Sequence, residues 1–216
     1  MTVQNAIYVP NRITKKKYFY DPSLEKGILN TVTALGRDSS MDDEDYKDVC
    51  FCPENNKLYA VRTNSSSNVS KVDIICPNKT TETQSPEASI TVANNANIIL
   101  YHPTTRTIIV IAPSSVQTIN LKDNSVLSRT YTQITGPQCA VFNPYDGHVY
   151  IGCTAPVSIL KCSPPKLSYS GIDGLGAGAN FTKVMNPSQK GFTAISGMAF
   201  DPEQNRLCLF DGEQRY

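Results

Sequence analysis

Four chemically different side chains occupy one repeated place in the sequence, directly before a proline. They are a thiol, an imidazole, an amide and a carboxylate: Cys52, His102, Asn143 and Asp201. Such groups could ligate a metal or transfer protons if the fold gathered them around one axis. Asn and Asp before proline are also common turn residues, so the sequence favours a turn role for them over a site.

The two histidines, His102 and His148, lie 46 residues apart. A general base must reach a carboxylate or a nucleophile, and no local pattern provides one. His148 stands at the position that Lys57 and Arg206 occupy in other repeats, so both histidines are interpreted as turn residues. A Ser-His-Asp or Cys-His arrangement assembled only by the fold stays open.

The seven cysteines are an odd number, and none of them forms a Cys-x-x-Cys pair. With only two histidines in the chain, a zinc site has few ligands to draw on. Several cysteines lie inside apolar runs, where a free thiol behaves as a small hydrophobic side chain. We therefore expect reduced, structural thiols and synthesis in a reducing compartment, and we interpret Cys50 and Cys52 as strand positions.

Two other segments resemble ligand-binding loops only in composition. The acidic stretch 37–48 lacks the glycine and terminal glutamate spacing of a calcium loop. The glycine-rich stretch 170–178 is followed by no Gly-Lys-Ser/Thr and is framed by no strand-helix unit. The sequence therefore predicts no cofactor, and it assigns no catalytic, cofactor-binding or metal-binding residue.

Composition narrows the choice of partners. The 216 residues carry a net charge of +1, and nucleic-acid binding normally needs a basic face. No apolar run is long enough to span a membrane. The N-terminal residues lack a basic start followed by an apolar core, so we expect no cleavable signal. The protein is then expected to be cytoplasmic or incorporated into a particle.

A repeat organises the chain around these prolines. An aromatic residue stands two positions before each proline, and an apolar run restarts about five residues after it: Phe51, Tyr101, Phe142 and Phe200 mark the four copies. The prolines are 50, 41 and 58 residues apart. A strand-rich repeat of about 40–50 residues is typical of propeller blades. Each proline would lie in a turn, and each aromatic could pack between neighbouring sheets.

Apolar and alternating runs place the strands of this repeat. Strands are predicted at 4–9, 17–20, 29–35, 49–52, 58–62, 69–76, 88–93, 97–101, 107–112, 116–121, 126–131, 139–142, 149–153, 157–162, 181–185, 197–201 and 207–211. No segment has a convincing helical period. The fold class is therefore all-β.

The pattern aromatic-x-Pro, a short polar turn and then Leu/Val-Tyr-apolar resembles the blade signature of NHL, YVTN and lactonase-type β-propellers. The segment 17–22 resembles their third strand with its turn, and the resemblance extends from about residue 4 to the end. The resemblance implies a propeller fold but says little about function, because one fold can carry many activities. Lactonase-like members hold a divalent metal with Glu, Asn and Asp, which carries over only weakly to Asn143 and Asp201. No tryptophan is present, so a WD-type signature is not supported.

Length and repeat number predict one domain over residues 1–216, a small propeller of about five blades. The blades would cover approximately 48–93, 97–135 and 138–185, with a composite blade built from 196–216 plus 4–35. The alternative is an open propeller-like arc, whose exposed edge strand would be a pairing site.

Function is predicted from composition and from the lack of a catalytic pattern. Ser, Thr, Asn and Pro make up about a third of the chain, and its loops are long. We expect a non-enzymatic structural or interaction protein that contacts protein partners in a larger assembly, such as a minor virion or capsid component. The alternatives are a lactonase-like metal-dependent hydrolase and a carbohydrate-binding propeller. Sugar platforms could come from Tyr18, Tyr20, Tyr131, Tyr145 and Tyr169, whereas Tyr59 and Tyr150 are expected to pack in the core.

Overall fold

The computed structural model shows a protein built of β-strands. It describes residues 7–10, 17–20, 28–32, 44–76, 86–163, 167–168, 171–172, 181–185, 187 and 191–211. The regular elements in these ranges are strands, which confirms the predicted all-β class. The chain divides into two compact units, residues 1–99 and 100–216.

The first unit contains two antiparallel sheets. The three-stranded sheet has the order β1-β2-β3, and the four-stranded sheet, here called the first blade, has the order β4-β5-β6-β7. Their strands are β1 (Ile7–Pro10), β2 (Lys17–Tyr20), β3 (Ile28–Val32), β4 (Glu44–Cys52), β5 (Lys57–Asn64), β6 (Ser70–Ile75) and β7 (Ala88–Val92).

Three further blades follow along the chain, and the boundary between the units falls within the first strand of the second blade. The second blade contains β8 (Ile98–His102), β9 (Thr107–Ala112), β10 (Ser115–Asn120) and β11 (Val126–Thr130). The third contains β12 (Pro137–Asn143), β13 (His148–Thr154), β14 (Val157–Cys162) and β17 (Phe181–Met185). The short pair β15 (Leu167–Ser168) and β16 (Gly171–Ile172) precedes β17, and the fourth blade contains β18 (Gly197–Asp201) and β19 (Arg206–Phe210).

The two central strands of each four-stranded blade are buried over more than half of their residues. Every residue of β9 is buried, and six of the eight residues of β5 are buried. Burial on both faces explains why residues 108–112 of β9 and residues 58–61 of β5 are continuously apolar rather than alternating. Outer strands such as β7 alternate between half-buried and exposed residues, as a strand with one solvated face does.

Most strand predictions are confirmed, and β9, β14, β17 and β18 have the predicted bounds. The main correction concerns β4, which begins at Glu44 inside the stretch interpreted as an acidic loop. Tyr46 pairs with Arg62 of β5 in this early part. This early part of β4 is polar because the residues it contacts are buried polar groups. It therefore lacks the apolar pattern from which a strand is predicted.

The repeated aromatics pack as predicted in the second unit. The ring of Phe142 meets that of His102 edge-on, with centroids 4.5 Å apart. The ring of Phe200 lies 6.0 Å from that of Tyr145, and β18 runs beside β12. Phe142 and Phe200 therefore each contact the preceding blade at its anchor turn, the name used here for the turn that contains the repeated proline.

A buried polar network connects all four strands of the first blade. Asp73 of β6 accepts a hydrogen bond from the Tyr46 hydroxyl of β4 at 2.6 Å and one from Nε of Arg62 of β5 at 2.8 Å. Its second oxygen accepts from the Ser89 hydroxyl of β7 at 2.6 Å. The side chains of Asp73 and Arg62 are only 1% and 4% exposed, so this ion pair lies inside the blade.

Some predictions fall outside the described residues. These are the acidic stretch up to residue 43, the glycine-rich stretch apart from 171–172, Tyr169, and the side chains of Tyr18 and Tyr20. The single domain and the composite fifth blade stay predictions.

Candidate functional site

The four side chains before the prolines all perform one structural task. Each accepts hydrogen bonds from backbone N–H groups two or three residues further on. Nδ1 of His102 accepts from Thr105 N at 3.2 Å, and Oδ1 of Asn143 accepts from Tyr145 N at 2.9 Å. Oδ1 of Asp201 accepts from the N–H groups of Glu203 and Gln204, and the sulfur of Cys52 faces those of Glu54 and Asn55.

This shared task explains why the residue type varies freely. A thiol, an imidazole, an amide and a carboxylate all place an acceptor close to the main chain, which is what a side-chain-capped turn needs. The predicted turn role of Asn143 and Asp201 is thus confirmed. Oδ1 of each residue accepts from the backbone of its own turn.

The anchor turns share a second feature, which the sequence analysis missed. The third residue after each proline has a positive φ: 56° at Asn56, 52° at Arg106, 69° at Gly147 and 50° at Asn205. Asn and Gly tolerate this left-handed conformation best. The recurrence of Asn, Asn and Gly at one place was the sequence signal that could have revealed the turn geometry.

Replacing Gly147 by alanine should destabilise the protein by about 1 kcal/mol. The cause is the backbone alone, because a Cβ added at Gly147 meets nothing within 4 Å. Gly147→Asn is the matched control and should cost less, since asparagine stands at this position in the first and fourth blades. Urea unfolding of both variants measures the difference, and equal losses would contradict a conformational cause.

His102 joins two anchor turns of the second unit. Because Nδ1 accepts the Thr105 N–H, Nε2 must carry the proton and donate it to the carbonyl of Gly147 at 3.2 Å. The hydroxyl of Thr105 also lies 2.9 Å from Nδ1. The ring is buried, and its contacts fasten the two turns to each other.

A polar cluster surrounds the anchor turn of the third blade. Oδ2 of Asp146 accepts from the Tyr150 hydroxyl at 2.8 Å and from Nζ of Lys161 at 2.9 Å. Oδ1 accepts from the backbone N–H of His148 at 3.0 Å, and Nδ1 of His148 donates to the Asp146 carbonyl at 2.6 Å. Both contacts agree with the turn role predicted for His148.

The protonation states in this cluster are fixed by their surroundings. Burial raises the pKa of Asp146, but the hydrogen bonds from Lys161, Tyr150 and His148 outweigh it and hold the pKa below 3.8. Burial, followed by the hydrogen bond to Asp146, raises the pKa of Tyr150 above 10.0. The hydrogen bond to Asp146 also raises the pKa of Lys161 above 10.5. These three groups therefore stay a carboxylate, a phenol and an ammonium near neutral pH.

Acid should weaken the fold through Asp146. Because its pKa is lowered in the folded state, its ionisation stabilises the protein above the ordinary pKa of 3.8, and this contribution is lost as pH falls through the lowered value. Unfolding curves between neutral and acid pH should show Asp146→Asn less stable than the wild type at neutral pH. The gap should narrow in acid, and a gap independent of pH would contradict the mechanism.

The same turn borders a cleft of about 310 Å³, here called the turn cleft. Its walls come from the third and fourth blades: Asn143, Tyr145, Asp146, Tyr150, Phe200, Asn205 and Leu207. Tyr145 is 63% exposed, and its hydroxyl donates to the carbonyl of Pro202. The cleft thus combines aromatic faces, two amides and one ionised carboxylate.

The structure separates the tyrosines singled out in the sequence. Tyr131 and Tyr59 are buried, and Tyr145 alone of these three is exposed. The core role predicted for Tyr59 is confirmed, and its hydroxyl additionally accepts from Nδ2 of Asn55 at 2.8 Å. Tyr150, which was expected to pack in the core, is only half-buried, and its hydroxyl donates to Asp146 at the equivalent place in the turn. Both tyrosines therefore fasten their own turns.

The cysteines are free thiols, as predicted. Cys52, Cys153 and Cys162 are buried, and burial raises the pKa of Cys162 to about 12. A buried protonated thiol is a poor nucleophile; these three thiols pack in the interior, and that of Cys52 also caps its turn. Cys208 differs because it is exposed.

In the described ranges, no three His, Cys, Asp or Glu side chains gather where they could hold a metal ion. The same ranges contain no helix with the length and hydropathy needed to cross a membrane. Sequence reasoning missed Asp146 and Lys161 as partners because Asp146 lies in the turn between β12 and β13, whereas Lys161 lies in β14. The pairing of Tyr150 with Lys161 across β13 and β14 brings them together.

No protein-family profile matches the sequence, and no curated protein matches it. Solved structures do match. A chain in a crystal structure of the mitotic checkpoint complex has a TM-score of 0.63 at 10% identity, over 97% of this chain and 58% of that chain. One in a nidogen/laminin complex has a TM-score of 0.62 at 11% identity, over 95% and 69% respectively.

A third match is the β-propeller domain of Cps50 (Swd1) from Myceliophteria thermophila. Its TM-score is 0.55 at 8% identity, and the match covers 97% of this chain and 60% of that chain. This chain thus spans about 60–70% of the length of the structures it matches. At such low identity the likeness concerns the fold alone. The repeated four-stranded antiparallel blades and these structural neighbours together identify the chain as a β-propeller protein.

Proposed function

We propose that this chain is a non-enzymatic propeller scaffold that contacts protein partners within a larger assembly. The observation that carries the proposal is the shared task of Cys52, His102, Asn143 and Asp201. The residue before the proline is the position of the repeat at which the chemical type of the side chain varies, so a catalytic site built by the repeat would use these side chains. Each of them instead caps its own turn.

The polar cluster of the third blade supports the same conclusion. Proton transfer near neutral pH is most efficient when the pKa of the catalytic group lies near that pH. The pKa of Asp146 is lowered, whereas those of Tyr150 and Lys161 are raised. The hydrogen bonds among these groups stabilise the turn and move each pKa away from neutrality.

Composition and fold support an assembly role. Propeller loops of variable length offer surfaces for contacts, and the chain is weakly charged and rich in Ser, Thr, Asn and Pro. Two structural neighbours were solved within protein complexes. A minor component of a virion or capsid is the particular assembly that this composition favours.

Cross-linking in the native source, followed by purification through a tag, tests the proposal. We expect the chain to migrate far above its own 23.7 kDa and to carry cross-links to defined partners in fixed proportion. A monodisperse monomer without cross-links would contradict it.

A hydrolase assay tests the lactonase-like alternative directly. The purified chain, supplied with calcium or zinc, should not accelerate lactone hydrolysis over the buffer. Metal-dependent turnover that Asn143→Ala and Asp201→Ala abolish would overturn the proposal.

A further inference from the structure

We propose that the turn cleft binds a neutral saccharide of one or two pyranose rings. A pyranose has apolar C–H faces and a polar edge of hydroxyl groups, so its site needs aromatic faces beside hydrogen-bonding groups. The turn cleft supplies both, from two adjacent blades of one unit. This binding site is additional to the scaffold role and does not depend on it.

Tyr145 supplies the aromatic face. Although 63% exposed, it is held at both ends: its N–H donates to Asn143 at 2.9 Å, and its hydroxyl donates to the carbonyl of Pro202. Its ring is tilted by 56° against that of Phe200, with centroids 6.0 Å apart. An exposed aromatic that is already fixed loses little conformational entropy when a ligand stacks on it.

Asp146 and Asn205 supply the polar edge. The Asp146 side chain is 28% exposed, and a carboxylate offers about four lone-pair sites. Three are occupied by Tyr150, Lys161 and the His148 N–H, which leaves capacity for one ligand hydroxyl. Asn205 lines the other wall and is exposed, and its amide can both donate and accept.

Charge and size select the ligand class. Nζ of Lys161 lies 2.9 Å from Oδ2 of Asp146, so the pair offers little net charge to an ionic ligand. The volume of about 310 Å³ lies at the lower end of the range for ligand pockets, about 300–1,000 Å³. One or two sugar rings fit this volume, whereas an extended peptide of several residues exceeds it.

Saturation-transfer NMR on the full chain, with a panel of neutral mono- and disaccharides, tests the proposal. We expect at least one sugar to bind with a dissociation constant on the order of 1 mM. Tyr145→Ala should weaken its binding about tenfold. Asp146→Asn should weaken sugar binding severalfold. It should also alter which sugar epimer binds best, because the Asp146 carboxylate accepts from a hydroxyl at one particular position of the ring.

Phe210→Ala is the matched control, because Phe210 is an exposed aromatic of the same unit, 56% accessible, that does not line the cleft. It should leave binding unchanged. If Tyr145→Ala fails to fold, Tyr145→Phe, which keeps the ring and loses the bond to Pro202, should show a smaller loss. The proposal would be overturned if no sugar of the panel bound, or if neither Tyr145 variant changed sugar binding. It would also be overturned if only proline-rich peptides bound.

Discussion

Replacing Asp73 by alanine is expected to lower the free energy of unfolding by about 3–5 kcal/mol. The change leaves the Arg62 guanidinium buried without the counter-charge that lies 2.8 Å away in the wild type. It also removes the acceptor of the Tyr46 and Ser89 hydroxyls. The loss is a large part of the 5–15 kcal/mol that stabilises a typical domain, and urea unfolding should show it as a lower midpoint.

Two further variants separate the buried charge from general damage to the blade. Lys57→Ala breaks an ion pair of 2.6 Å with Glu87 in the same blade, about one third exposed, and should cost less than about 1 kcal/mol. Adding Arg62→Met to Asp73→Ala should restore part of the lost stability, because the buried guanidinium that lost the Asp73 carboxylate is then removed as well. Strict additivity of the two changes would argue against the ion pair as the cause.

The strands could be predicted well because burial imposes its pattern on the sequence. In β9 every residue is buried, so residues 108–112 form a continuous apolar run that reveals the strand in the sequence. The early residues of β4 instead pair with polar residues. The Tyr46 side chain is held by a hydrogen bond to Asp73, which is 27 residues away in the sequence. A contact of that range leaves no local pattern, which is why the strand was predicted to start too late.

The candidate site was predictable in its turns but not in its cleft. Recognising His102, Asn143 and Asp201 as equivalent positions led to their turn role, whereas Cys52 was interpreted as a strand position and its cap was not predicted. The turn cleft depends on Tyr145 meeting Phe200, 55 residues further on, and on Lys161 reaching Asp146 across the β13–β14 pairing. These contacts follow from blade packing and strand register, which single-sequence periodicity does not provide.

The second large effect is expected at His102, where alanine should cost about 2–4 kcal/mol. Truncation removes the acceptor for the Thr105 N–H, the donor to the Gly147 carbonyl and the edge-on contact with Phe142. His102→Asn should cost roughly half as much, because an amide oxygen can still cap the turn as Asn143 does in the next blade. Denaturant midpoints of the two variants measure the difference.

The more exposed anchor turn of the fourth blade provides the comparison. Asp201→Ala removes the same kind of cap but no buried ring, so its cost should stay near 1 kcal/mol. The ring itself offers an independent check, because nitrogen NMR should find His102 as the neutral tautomer protonated at Nε2. If Nδ1 carries the proton instead, it cannot accept from the Thr105 N–H. Nε2 then has no proton to donate to the Gly147 carbonyl, and His102 would not join the two turns by the hydrogen bonds described above.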